Sequence, residues 1–142
     1  METVHAAEEW QRAGVHYVRT QAMCLGFGVS LEMEFGEDTP EDDYILVMHR
    51  GLPAATCRMR LDAQGHGHIE RVATLENFRG QGFGRAAIAA AEDFLKEKGA
   101  SQIYINSREA VLGFYEKLGY TAIPDSRSGA GEFVCIMTRK DV

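Results

Sequence analysis

The stretch Arg79-Gly80-Gln81-Gly82-Phe83-Gly84-Arg85 constrains this chain most. Three glycines fall within five residues, an apolar strand-like run precedes them, and an amphipathic helical pattern follows at once. Glycine lets backbone approach a ligand closely and take up angles that a side chain forbids. A helix start offers unpaired N–H groups and a partial positive charge. Together these make a cradle for a phosphate or pyrophosphate, and Arg79 and Arg85 flank it with two fixed charges. The expectation is a phosphate-bearing cofactor held here, with the rest of the chain bringing a substrate to it.

Spacing separates the familiar glycine-rich loops. A P-loop needs Gly-Lys-Ser or Gly-Lys-Thr after four intervening residues, and no lysine follows any of these glycines. A dinucleotide fingerprint needs Gly-x-Gly-x-x-Gly. From Gly80 the third glycine falls on Arg85; from Gly82 it falls on Ala87, a tolerated variant. That fingerprint also needs an acid closing a second parallel strand about 20 residues on. The next strand-like run, Gln102 to Ile105, ends instead in Asn106 and Ser107.

A third pattern fits: Arg-x-x-Gly-x-Gly as Arg79, Gly82 and Gly84, followed by Asn106 and then Gly113-Phe114-Tyr115-Glu116-Lys117-Leu118-Gly119-Tyr120. From about Tyr44 to Tyr120 the chain resembles the GNAT family of acyl-CoA-dependent N-acetyltransferases. The resemblance implies an α/β (α+β) fold with a central splayed mixed sheet flanked by helices. It implies acetyl-CoA as cosubstrate, with the glycine loop (Arg79, Gly80, Gln81, Gly82, Phe83, Gly84, Arg85) on the pyrophosphate and Val72, Ala73, Thr74 and Asn106 along the pantetheine arm. The turn Leu75-Glu76-Asn77-Phe78 departs from the Pro-Glu-Tyr type of many members, but Arg79 and the glycines are intact.

The length of 142 residues argues for one domain spanning 1–142. Apolar content of 45% and charged content of 25% are those of a soluble globular protein. No apolar run nears the 18 or so residues that span a bilayer, and Met1-Glu2-Thr3 leads into acids rather than a signal segment. The expected location is the cytoplasm. Cys24, Cys57 and Cys135, odd in number and widely spaced, read as small buried hydrophobes rather than a disulfide framework. A net charge of −6 argues against nucleic acid as a partner.

Periodicity orders the remaining elements. Residues 3 to 5 read as a strand, and Ala6 to Leu25 as a helix that Gly14 interrupts. Between Glu32 and Asp43 stand seven acids, read either as a solvated loop or as a negative rim that attracts a cationic amine. Tyr44 to His49, Ala54 to Leu61 and His68 to Thr74 form a meander, with Thr56, Arg58 and Arg60 alternating outward. Gly82 to Lys98 is a helix. Gln102 to Ile105 is a strand parallel to the previous one, and Ser107 caps the next helix, whose face is Val111, Leu112, Phe114, Tyr115 and Leu118. Tyr120 to Ile123 and Phe133 to Thr138 close the sheet.

Acetyl transfer to an amine needs a base for the amine, donors for the oxyanion and a proton for the leaving thiolate. Glu70, just before the pantetheine strand residues, is the candidate base; the plain alternative is a carboxylate paired with Arg58, Arg60 or Arg71. His68, two residues earlier on the same face, is a substitute. Backbone N–H groups near Val72 and Ala73 are the oxyanion donors. The family places a tyrosine near the coenzyme sulfur, which implies Tyr115 as acid and cofactor contact; on periodicity alone it is a core aromatic. For a phenol near pKa 10 facing a thiolate whose conjugate acid is near 8.5, geometry matters more than driving force. Asn106 has a plain reading as a cap. His66 and His68 lack a third ligand of suitable spacing, so no metal is expected. The leading expectation is transfer to the amine of a small molecule or peptide, in a monomer or homodimer. A non-catalytic acyl-CoA-binding module and a purely structural domain are the alternatives.

Overall fold

The computed structural model describes residues 1–142. Strand β1 (Glu2–His5) leads into helix α1 (Glu9–Arg19). A single π-helical stretch (Thr20–Leu25) and a short helix α2 (Leu31–Phe35) follow. The meander is β2 (Asp43–His49), β3 (Leu52–Leu61) and β4 (Gly67–Thr74). Helix α3 (Phe83–Glu97), strand β5 (Gln102–Arg108), helix α4 (Leu112–Lys117), and strands β6 (Thr121–Ala122) and β7 (Cys135–Asp141) complete the chain. The seven strands form one mixed sheet in the order β1-β2-β3-β4-β5-β7-β6.

Helices cover both faces. Ile69, Ile103 and Ile105 join Phe83, Ala87, Ala91 and Leu95 of α3 in the main core. The alanines let α3 lie close to the sheet. On the opposite face, Val15 of α1 packs on Tyr44, Leu46 and Met48, and Val18 and Ala22 pack on Ala73. Gly14 does not interrupt α1. A Cβ there would stand 2.9 Å from Leu46 Cδ2, so the glycine lets the helix lie against β2. The α-helical pattern gives way only at Thr20, where the π-helical stretch begins.

Three further expectations need correction. Thr56 and Arg58 do point away from the main core, but α1 and the segment after it cover that face, so both are buried. Strand β5 runs on to Arg108, because Asn106, Ser107 and Arg108 pair with Met137, Ile136 and Cys135 of β7. Ser107 is therefore a buried strand residue and caps no helix. Of the cysteines only Cys57 is fully buried; Cys24 and Cys135 are intermediate.

Candidate active site

Strands β4 and β5 run parallel but pair only at Gly67–Ile103 and His68–Tyr104. Beyond that point they part. A cleft of about 740 Å³ fills the gap. Twelve of the thirteen sequence-predicted site residues line it: Glu70, Val72, Ala73, Thr74, Asn106, Tyr115 and every member of Arg79–Arg85 except Gln81. The Gln81 side chain turns away and donates to Asn77 O at 2.9 Å.

At one end stands the glycine loop. Gly82 has φ +89° in the left-handed region and is the N-cap of α3, with no side chain capping the helix. The first intrahelical bond is from Ala86 N to Gly82 O, at 3.0 Å. The N–H groups of the preceding turn are thus left for a ligand, with the positive end of a 15-residue helix behind them. Arg79 makes only a long contact to Thr74 O, at 3.4 Å. No carboxylate pairs with Arg79 or Arg85, so both charges face the cleft uncompensated.

At mid-cleft β4 is bulged. Thr56 opposes Ala73 and Arg58 opposes Glu70, so two residues, Arg71 and Val72, stand against Cys57 alone. Arg71 has φ +52°, a conformation that L side chains rarely adopt. A bulge leaves backbone groups out of the ladder and re-aims side chains. Here Ile69 and Val72 pack toward α3, whereas Glu70 and Arg71 in succession face α1 and α2.

Glu70 sits opposite Arg58, whose Nη2 lies 3.4 Å from its carboxylate, with Arg60 Nε at 3.8 Å. The pairing considered as the plain alternative is therefore present, yet the side chain remains 37% exposed and borders the cleft. His68 lies outside the cleft, bonded to Asp62 Oδ2 at 2.8 Å and stacked on Tyr104. No group of three His, Cys, Asp or Glu residues is arranged to hold a metal ion.

Tyr115 projects from α4 and is 6% exposed. Burial pushes its phenol well above the ordinary tyrosine range, with Arg108 opposing the shift. No protein group hydrogen-bonds its hydroxyl, whereas that of Tyr120 donates to Glu92 at 2.7 Å. Near Tyr115, burial pushes the Cys57 thiol up to about 12.

The far wall was read least well from sequence. The acids between Glu32 and Asp43 form neither a solvated loop nor a simple rim, because Glu34, Asp38 and Asp42 are tied to arginines. Arg19, with no exposed surface, donates from Nε to Glu34 Oε2 at 2.8 Å and from Nη1 to Asp38 Oδ2 at 2.6 Å. Arg58 Nη1 joins Asp38 Oδ1 at 2.8 Å, Tyr44 donates its hydroxyl to Asp38, and Arg60 pairs with Asp42. Burial works against ionisation of Asp38, but these hydrogen bonds and charges outweigh it and hold its carboxyl at about 2. Glu34 Oε1 makes no hydrogen bond and faces Arg71 Nη1 at 3.6 Å. Other wall residues absent from the sequence reading are Met23, Phe27, Arg108 and Phe133.

The acetyltransferase (GNAT) family model matches residues 5–120. A Bacillus subtilis (strain 168) protein provisionally named an acetyltransferase is 35% identical over 118 residues, 80% of this chain and 79% of its own. The chain belongs to the GNAT acetyltransferase family. A crystal structure of a provisionally named N-acetyltransferase from Lactobacillus plantarum superposes with a TM-score of 0.90 at 25% identity, over 99% of this chain and 97% of that one. A Bacillus anthracis structure titled as a streptothricin acetyltransferase in complex with acetyl coenzyme A shares the fold. Its TM-score is 0.60 at 18% identity, over 74% of this chain and 65% of that one. No helix is long and apolar enough to cross a membrane.

Proposed function

We propose that this chain is a single-domain, acetyl-CoA-dependent N-acetyltransferase that acts on an amine through a ternary complex. The observation that carries the reading is the parting of β4 from β5, with an uncapped helix start at one end of the gap and an unpartnered tyrosine hydroxyl inside it. The glycine loop, Arg79 and Arg85 hold the pyrophosphate. The pantetheine arm lies along Val72, Ala73 and Thr74, with Asn106 opposite. Acetyl-CoA supplies the thioester, and this chain's residues orient it and move the protons.

The acceptor's ammonium form first loses a proton to Glu70 through a water, which frees the nitrogen lone pair. That lone pair then forms the new N–C bond at the thioester carbonyl, and the N–H groups at the bulge stabilise the oxygen that gains charge. The C–S bond breaks with its electron pair on sulfur; Tyr115 passes its proton to that sulfur and regains one from the nitrogen, which sheds its second proton as the amide forms. An ordinary phenol is a weaker acid than an ordinary thiol, so transfer to a free thiolate is uphill. Burial raises the Tyr115 phenol further, so the donation accompanies C–S cleavage, as charge builds on the sulfur, rather than following it. Holding both reactants in the cleft supplies much of the rate.

Thiol release from acetyl-CoA across a panel of primary amines tests the reading. Turnover with at least one amine, slowed about 100-fold or more by Glu70→Gln, is the expected result. Coenzyme binding without turnover on any amine would favour a non-catalytic acyl-CoA-binding module instead.

A further inference from the structure

Arg108 is the one cation on the acceptor side of the cleft that the protein leaves without an anionic partner. Arg58 is paired with Asp38 and Glu70, and Arg71 with Glu34. Arg108 Nε donates to Glu132 O at 3.0 Å, and its Nη groups have no acceptor in the protein. The guanidinium carbon lies 4.9 Å from the Phe27 ring centre and 5.9 Å from that of Phe133. The two rings meet edge to face, 5.8 Å apart. A planar fork held at Nε and walled by aromatic rings is a preorganised receptor for a bidentate oxyanion.

Its position excludes the pyrophosphate as the natural guest. Arg79 and Arg85 serve that end, whereas the charge of Arg108 is felt at Tyr115 and Cys135. By strand alternation Asn106 and Arg108 lie on the β5 face opposite Ile105, which packs toward α3. That is the face on which Glu70 and Arg71 also lie.

We propose that the acceptor is an anionic amine, a single molecule that presents its amine beside Glu70 and a carboxylate or phosphate to the Arg108 fork. The inference rests on the acetyl-transfer reading and narrows its substrate class. With a net charge of −6 the protein offers an anion no long-range attraction, so the fork must supply the recognition locally.

Matched pairs of amines decide it: amino acids against their amides, and amino-alcohols against their phosphate esters. Each pair is assayed for thiol release and titrated calorimetrically onto the coenzyme A complex. The parent should favour the anionic member of at least one class by about 10- to 100-fold, the worth of a charge-assisted bidentate pair. The class favoured separates carboxylate from phosphate. Arg108→Gln should erase that ratio through KM and leave coenzyme affinity unchanged, and Arg108→Lys should retain part of it. A purely structural Arg108 would shift both members of a pair alike. Equal affinity for both members in the parent, no binding of any anionic amine, or a ratio that survives Arg108→Gln would each overturn the proposal. If anionic amines bind selectively but none is acetylated, the transfer reading fails and the binding inference stands.

Discussion

On the glycine-loop side of the cleft the chain offers backbone: an uncapped helix start, a left-handed Gly82 and two arginines with no anionic partner. On the α1–α2 side it offers ionised side chains already joined to one another, from Arg19 through Glu34 and Asp38 to Arg58 and Glu70. The first arrangement is local and costs little to assemble. The second brings charges from five separate segments together, and the buried ones, Arg19, Glu34 and Arg58, must be paired to be tolerated. A cradle of backbone suits a ligand that never changes, whereas a wall of side chains can be altered for a new acceptor without disturbing it.

The largest effect should come from breaking the ionic wall. Arg19→Ala removes the buried partner of both Glu34 and Asp38, and urea unfolding should show a loss of about 3–5 kcal/mol. A loss under about 1 kcal/mol would mean that the network is not what fixes α2. Next comes Tyr115→Phe, which removes a hydroxyl without a protein partner. It should lower kcat about 100-fold while unfolding and coenzyme affinity stay close to the parent's. Equal kcat would return Tyr115 to the role of a core aromatic.

The smallest effect is a pH dependence confined to the ionic wall. The Asp38 carboxyl is held at about 2, below the unfolded value of about 3.9. Its contribution is therefore full above about pH 4 and is lost as the pH falls toward 2. Urea midpoints measured down that range should fall more steeply for the parent than for Asp38→Asn. Parallel profiles would remove Asp38 from the acid response.

The same contrast explains what could be read from the sequence. The glycine-loop side was legible because its determinants are contiguous: glycines at Gly80, Gly82 and Gly84, a strand before and a periodic helix after. The α1–α2 side was not, since Arg19, Glu34, Asp38 and Arg58 acquire meaning only when the fold brings them together. Thr56 and Arg58 alternate as a solvent-facing pattern does, and only the packing of α1 makes that face interior. The bulge leaves no local signal either, for Arg71 is an unusual residue at positive φ. Arg108 was missed because β5 is prolonged by its pairing with β7, a partner distant in sequence.

The most direct test is calorimetric titration of acetyl-CoA onto the parent and onto Gly82→Glu, with circular dichroism to show that the variant is folded. The substitution places a bulky anion at a left-handed position in the cradle and leaves the ionic wall untouched. The account predicts saturable binding by the parent and a loss of at least about 100-fold in the folded variant. No binding by the parent, or equal binding by both, would contradict the assignment of this cleft to the coenzyme.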